Sequence, residues 1–204
     1  MIRAILFDMD GVLVDSFDGW LNLVNAAAMH FGRPPISRDE FLKVYGQSTQ
    51  LDVDVFFPAQ SVEEVDGYYE TQFGVLAENV KLMPGAQAVM DQMKRQNLHT
   101  AVITNTGGGL ARSILQKVDL SPAHVIGGDE VASAKPSPDM VVLACRLLNV
   151  SAEEAVVVGD SRFDIEAAAA AGVRSIGVNG IQGDYSIKVL DELVDKLSEI
   201  NECI

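Results

Sequence analysis

The stretch that most constrains this chain runs over residues 2–16. An apolar run at 2–7, broken only by Arg3, has the length of a buried strand and stops abruptly at Asp8, Asp10 and Gly11. Alternate residues of a strand point the same way, so Asp8 and Asp10 aim together off its carboxyl end, the edge where open α/β sheets keep their ligand crevices. Gly11 then lets the chain turn away. Two carboxylates this close repel, and the cost calls for a cation or a shared proton. Asp and Gly also favour a plain polar turn, so the motif gains meaning only from what later strands carry.

The rest of the chain divides by texture. From 16 to 81 the patterns are helical: Trp20, Leu21, Val24, Ala27, Ala28 and Phe31 share one face, and Gly32 to Pro35 ends that helix. Ser37 with Glu40 makes a capping box for a second helix through Tyr45, and Gly46, Gln47 and Ser48 break it. A third helix is expected at 49–57. Ser61 with Glu64 opens a fourth, whose stripe runs Val62, Val65, Tyr69, Phe73, Leu76. From Met83 onward helices alternate with apolar strands expected at 100–104, 124–126, 155–158 and 175–178. This is the pattern of an α/β fold, a Rossmann-like parallel sheet covered on both faces. Residues 1–14 and 83–204 then form a discontinuous core, and 15–82 a small helical domain inserted into it.

Acidic residues number 29 against 15 basic, a net charge of −14. That balance argues against a nucleic-acid partner but leaves room for a small phosphorylated molecule met by a local lysine or metal. No window approaches the ~20 apolar residues of a membrane helix, and the amino terminus lacks leader architecture. Cys145 and Cys203 fit no metal-ligand spacing and read as free thiols. The expectation is a soluble cytoplasmic protein with no membrane or nucleic-acid partner; oligomeric state is not legible.

Each later strand ends in chemistry. V-I-T-N-T-G-G-G puts Thr104 at a strand end, then Asn105, Thr106 and three glycines before a helix. Such a turn is ordinary loop geometry or, with free N–H groups at a helix amino terminus, an anion cradle. A-K-P-S-P presents Lys135 from a loop stiffened by two prolines. Lysine is ordinarily solvated, but one held near Asp8 and Asp10 both neutralises carboxylate and grips phosphate. V-G-D-S-R-F-D places Asp160 at a strand end and Asp164 four residues on, a like-charge pair that a cation or the helix dipole must relieve. Oxygen donors without a neighbouring Cys or His point to Mg²⁺ rather than Zn²⁺. His30, His99 and His124 pair with no nucleophile and are expected to be structural.

In this order D-M-D-G, the strand-end Thr104, Lys135 and G-D-S-R-F-D resemble the haloacid dehalogenase (HAD) superfamily, over residues 2 to about 178. D-M-D-G-V-L-V-D-S and A-K-P-S-P-D are most similar to its phosphoglycolate phosphatase, phosphosugar phosphatase and β-phosphoglucomutase branch. The resemblance implies a HAD-like core with 15–82 as its helical cap, and a Mg²⁺-dependent phosphatase acting on a small phosphomonoester through an aspartyl-phosphate. It implies Asp8 as nucleophile and Asp10 as general acid and base, with Thr104, Asn105 and Lys135 on the phosphoryl group. Mg²⁺ would rest on Asp8, the backbone carbonyl of Asp10 and Asp160, with Asp164 completing or orienting that sphere. Cap residues Tyr45, Gly46, Gln47 and Ser48 would choose the substrate, and Arg38 or Lys43 could meet a substrate carboxylate.

Asp10 favours phosphoryl transfer over dehalogenation, because a halide leaves without a proton. A β-phosphoglucomutase-like phosphomutase is the alternative, weakened because Trp20 stands where those relatives carry a hinge histidine. A non-hydrolytic phospho-aspartate switch is an alternative from another class; such receivers place the phosphorylated Asp later and carry no helical insertion.

Overall fold

The computed structural model describes residues 1–202. Its centre is β1 (Ala4–Phe7), buried on both faces. β1 lies between β4 (His99–Thr104) and β6 (Ala155–Gly159), parallel to both. β5 (His124–Gly127) extends the sheet on one side, and β7 (Arg174–Gly177) with the short β8 (Tyr185–Ser186) on the other, in the order β5-β4-β1-β6-β7-β8. All pairings are parallel, so every strand delivers its carboxyl end to one edge.

The sheet sorts its side chains by alternation. Ile5, Phe7, Val102, Val156 and Val158 face one apolar layer, while Ala4, Leu6, Ala101, Ile103 and Val157 face the other. α6 (Ala86–Arg95) and α7 (Gly108–Lys117) cover the first layer; α8 (Asp139–Leu148) and α9 (Arg162–Ala170) cover the second. A carboxyl-terminal helix, α10 (Leu193–Glu202), was not anticipated from the sequence. It buries Leu193, Leu197 and Ile200, and Asn201 accepts the backbone N–H of Ile2 at 2.7 Å.

Between β1 and α6 lie five helices: α1 (Phe17–His30), α2 (Arg38–Leu42), α3 (Thr49–Phe56), α4 (Val62–Thr71) and α5 (Phe73–Ala77). The capping boxes at Ser37 and Ser61 are both formed. Two expected helices differ. The second ends at Leu42 rather than Tyr45, because Gly46 takes a left-handed φ of +84° and the Tyr45 ring packs on Phe17 and Phe41. The fourth divides at Gln72, so that Leu76 can meet Gly19 of α1, where a β-carbon would lie 2.7 Å from the Leu76 carbonyl.

The chain enters and leaves this helical segment through paired strands, β2 (Val14–Asp15) and β3 (Lys81–Leu82), too short to show a sequence pattern. His30 stacks on Tyr68, while His99 and His124 lie on the sheet's amino-terminal side, away from the acids. Cys145 is a buried free thiol; Cys203 lies outside the described residues. Among the described residues no helix is long and apolar enough to cross a membrane.

Candidate active site

The backbone pairing of β1 continues one residue past the strand, where the Asp8 N–H donates to the Val158 carbonyl at 2.9 Å. That pins Asp8 at the sheet edge. Lys135, from the loop before α8, reaches it from behind. Its Nζ donates to Asp8 Oδ1 at 2.7 Å, to Asp164 Oδ1 at 2.6 Å and to the Ile103 carbonyl at 2.9 Å. All three donors of the ammonium are satisfied, which is what an almost fully buried lysine requires. Burial works against the charge, but Asp164 and Asp8 outweigh it and hold the ammonium protonated well above its ordinary range.

Asp164 is fully buried and both its oxygens are engaged: Oδ1 by Lys135, Oδ2 by the backbone N–H and hydroxyl of Ser161. It caps the first turn of α9, so the lysine and the helix amino terminus together relieve its clash with Asp160. Asp8, Asp160 and Asp164 offer oxygens that all lie within 4.8 Å of one another. Burial, then the neighbouring Asp164, pushes the Asp8 carboxyl well above the usual carboxylate range and Asp160 to about 7. One ammonium is therefore too little positive charge for this group. A hard divalent cation on oxygen donors fits it, and Mg²⁺ suits that donor set. Gly11 permits the arrangement, since a β-carbon there would stand 2.0 Å from Asp160 Oδ2 and the residue has φ +81°.

Asp10 is held differently, by hydroxyls and an indole. Its Oδ1 accepts from the Ser16 hydroxyl and from Trp20 Nε1 at 2.9 Å; its Oδ2 accepts from Thr106 Oγ1 at 3.0 Å and Thr104 Oγ1 at 3.4 Å. The Tyr45 hydroxyl lies 2.9 Å from Ser16 Oγ. Ser16 has one proton and gives it to Asp10, so Tyr45 donates to Ser16 and the loop after α2 is wired to the acid. Burial, then Asp10, raises the Tyr45 phenol well above its ordinary range.

A cavity of about 30 Å³ lies between these acids and the helical segment, lined from below by Asp8, Asp10 and Thr104 and from above by Tyr45, Gly46 and Gln47. Asp52 of α3 also lines it, with Oδ1 accepting from Gln47 Nε2 at 2.7 Å and Oδ2 from the Tyr69 hydroxyl at 3.0 Å.

The structure thus brings Asp8, Asp10, Thr104, Lys135, Asp160 and Asp164 to one edge, with Tyr45, Gly46 and Gln47 facing them. Ser48 lines a neighbouring groove instead. Asn105 lines the cavity, and its side chain donates to the carbonyls of Gly46 at 3.0 Å and Lys135 at 3.1 Å and accepts the Lys135 N–H at 2.9 Å. It fastens the lysine loop to the helical segment. The glycine turn is no free anion cradle, for the Gly108 N–H donates to Asp129 at 2.7 Å, an anion of the chain itself. Arg38 is exposed, paired with Asp18 and laid over the Phe17 ring, and Lys43 is exposed; neither lines the cavity. Sequence reasoning missed Ser16 and Asp52, and did not foresee that Trp20 and Thr106 hydrogen-bond Asp10.

Residues 5–178 match the family model described as haloacid dehalogenase-like hydrolase. A phosphoglycolate phosphatase of Photorhabdus laumondii subsp. laumondii is 31% identical, over 87% of this chain and 80% of that protein. A phosphorylated carbohydrates phosphatase of Thermotoga maritima is 28% identical, over 86% of this chain and 84% of its own length. The solved structure of a HAD-superfamily hydrolase, subfamily IA, from Geobacter sulfurreducens shares the fold, with TM-score 0.79 over 96% of this chain and 100% of that one at 23% identity. The chain belongs to the haloacid dehalogenase-like hydrolases, as a phosphatase of the branch that includes the phosphoglycolate phosphatases and the β-phosphoglucomutases.

Proposed function

We propose that the protein is a Mg²⁺-dependent phosphatase that hydrolyses a small phosphomonoester through an aspartyl-phosphate on Asp8. The observation that carries this reading is the pairing of Asp8, held at 2.7 Å by a buried lysine, with a second acid two residues on that has its own separate set of donors. Like neighbours with different environments are what a nucleophile and a proton carrier need.

In the first step an Asp8 oxygen attacks phosphorus, the bond to the ester oxygen breaks, and Asp10 gives its proton to the departing alkoxide. In the second, Asp10 takes a proton from water as that water attacks phosphorus, and the bond to Asp8 breaks, freeing phosphate. Thr104 faces the phosphoryl oxygens. Lys135, expected from the sequence to grip phosphate, has all three donors committed to Asp8, Asp164 and the Ile103 carbonyl; it instead holds the nucleophile in place and places positive charge beside it. Asp8 and Asp160, with the Asp10 carbonyl, would hold Mg²⁺, which when bound supplies positive charge against the phosphoryl oxygens. Asp164 holds Lys135 and α9 in place. The helical segment acts as a cap that excludes water and reads the leaving group.

Phosphate release from small phosphomonoesters with Mg²⁺ and with EDTA tests this. Metal-dependent release that is lost in Asp8→Asn is the expected result; residual release above ~1% of wild type in Asp8→Asn would remove Asp8 as the nucleophile.

A further inference from the structure

We infer that the active-site cavity is built for an uncharged, hydroxyl-bearing leaving group and discriminates against a substrate carboxylate such as that of phosphoglycolate. The inference rests on the phosphatase reading and concerns the part of the substrate that departs.

Its ground is the charge of the cap side of the cavity. Among the described residues no Lys, Arg or His lines it, and the cap's one ionisable carboxyl there is Asp52. That side chain is buried, and its oxygens are fixed by Gln47 and Tyr69, so it cannot swing away to make room for an anion. The cations that might have answered a carboxylate are elsewhere: Arg38 is committed to Asp18 at the surface, Lys43 is exposed, and Lys135 is spent on Asp8 and Asp164. The remaining cap walls include Trp20, Phe41 and Val44, which would strip water from a carboxylate and return nothing.

A hydroxyl meets the opposite conditions. A carboxylate only accepts, so the Gln47 amide must turn its NH₂ toward Asp52. Its carbonyl oxygen is then left without a protein donor among the described residues and is free to take one from a leaving-group hydroxyl. The same wall that repels an anion accepts an alcohol, which is specificity by an unfavourable contact as much as by a favourable one.

Two esters of nearly equal size separate the cases: 2-hydroxyethyl phosphate and 2-phosphoglycolate, with p-nitrophenyl phosphate as a reference, all with Mg²⁺ at constant ionic strength. Wild-type kcat/KM is expected to favour the hydroxyethyl ester ~10-fold or more, the scale of a like-charge contact. Asp52→Asn should shrink that ratio by raising kcat/KM for phosphoglycolate, mainly through KM. Equal or better turnover of phosphoglycolate by wild type overturns the inference while leaving the phosphatase reading intact, and needs no folded variant. An equal loss on both esters in Asp52→Asn, showing a structural role alone, also overturns it. Folded wild-type protein that releases phosphate from none of the three overturns the phosphatase reading itself.

Discussion

The indole nitrogen of Trp20 donates to Oδ1 of Asp10 across 2.9 Å, tying the first helix of the inserted segment to the acid beside the proposed nucleophile. A hydrogen bond to a charged group is worth about 1.5–3 kcal/mol, so Trp20→Phe should lower kcat by about 10-fold or more. KM should change much less, because Trp20 positions Asp10 rather than gripping phosphate. Trp20→His, which keeps a ring N–H, should recover part of the loss; steady-state kinetics on one phosphomonoester checks all three.

Metal should stabilise the fold as well as activate it. Asp8, Asp160 and Asp164 share one ammonium, so a divalent cation binding the native site relieves a repulsion the unfolded chain lacks. At 100 times its dissociation constant, Mg²⁺ should add about 2.7 kcal/mol, seen as a rise in Tm over protein in EDTA. Asp160→Ala should lose most of that rise.

Gly11→Ala should abolish the same response by another route. Its β-carbon would lie 2.0 Å from Asp160 Oδ2, and its φ of +81° costs any other residue about 1–2 kcal/mol. Urea unfolding should show a loss of at least that size, together with a Tm that no longer moves with Mg²⁺.

Asp52 sets a pH dependence of stability. Burial, eased only in part by Gln47 and Tyr69 and reinforced by Asp66, raises its pKa from 3.8 to about 6. The native state therefore keeps a proton that the unfolded chain has lost between these values. This stabilisation is present below pH 3.8 and is lost as pH rises through about 6, a span worth about 3 kcal/mol. Asp52→Asn should be the more stable protein at pH 7 and lose its advantage near pH 4, as urea midpoints at the two pH values will show.

How much of the site is legible in the sequence follows from how each residue is placed. Asp8, Thr104 and Asp160 stand at or just past ends of parallel strands, so an apolar run followed by a polar residue already says which edge they reach. Asp52 and Trp20 sit inside helices, where sequence shows only a polar face and an apolar stripe. Their importance comes from partners supplied by other elements, Tyr69 of α4 and Asp10 beyond β1. The Asn105 side-chain amide is taken up by two backbone carbonyls 59 and 30 residues away, partners that no local sequence pattern shows. α10 escaped notice because its apolar residues are spaced among charges in a segment with no chemistry to mark it.

The cavity of about 30 Å³ has room for a water or two, far below the several hundred Å³ of a typical ligand pocket, so admitting an ester means parting the two halves. Their covalent link is β2 paired with β3, with Met83 N–H adding a bond to the Leu13 carbonyl at 2.9 Å. Any parting therefore has to be carried at these two short crossings. Parting would carry Trp20 of α1 away from Asp10, so the acid would hold its full set of donors only while the two halves are closed on each other.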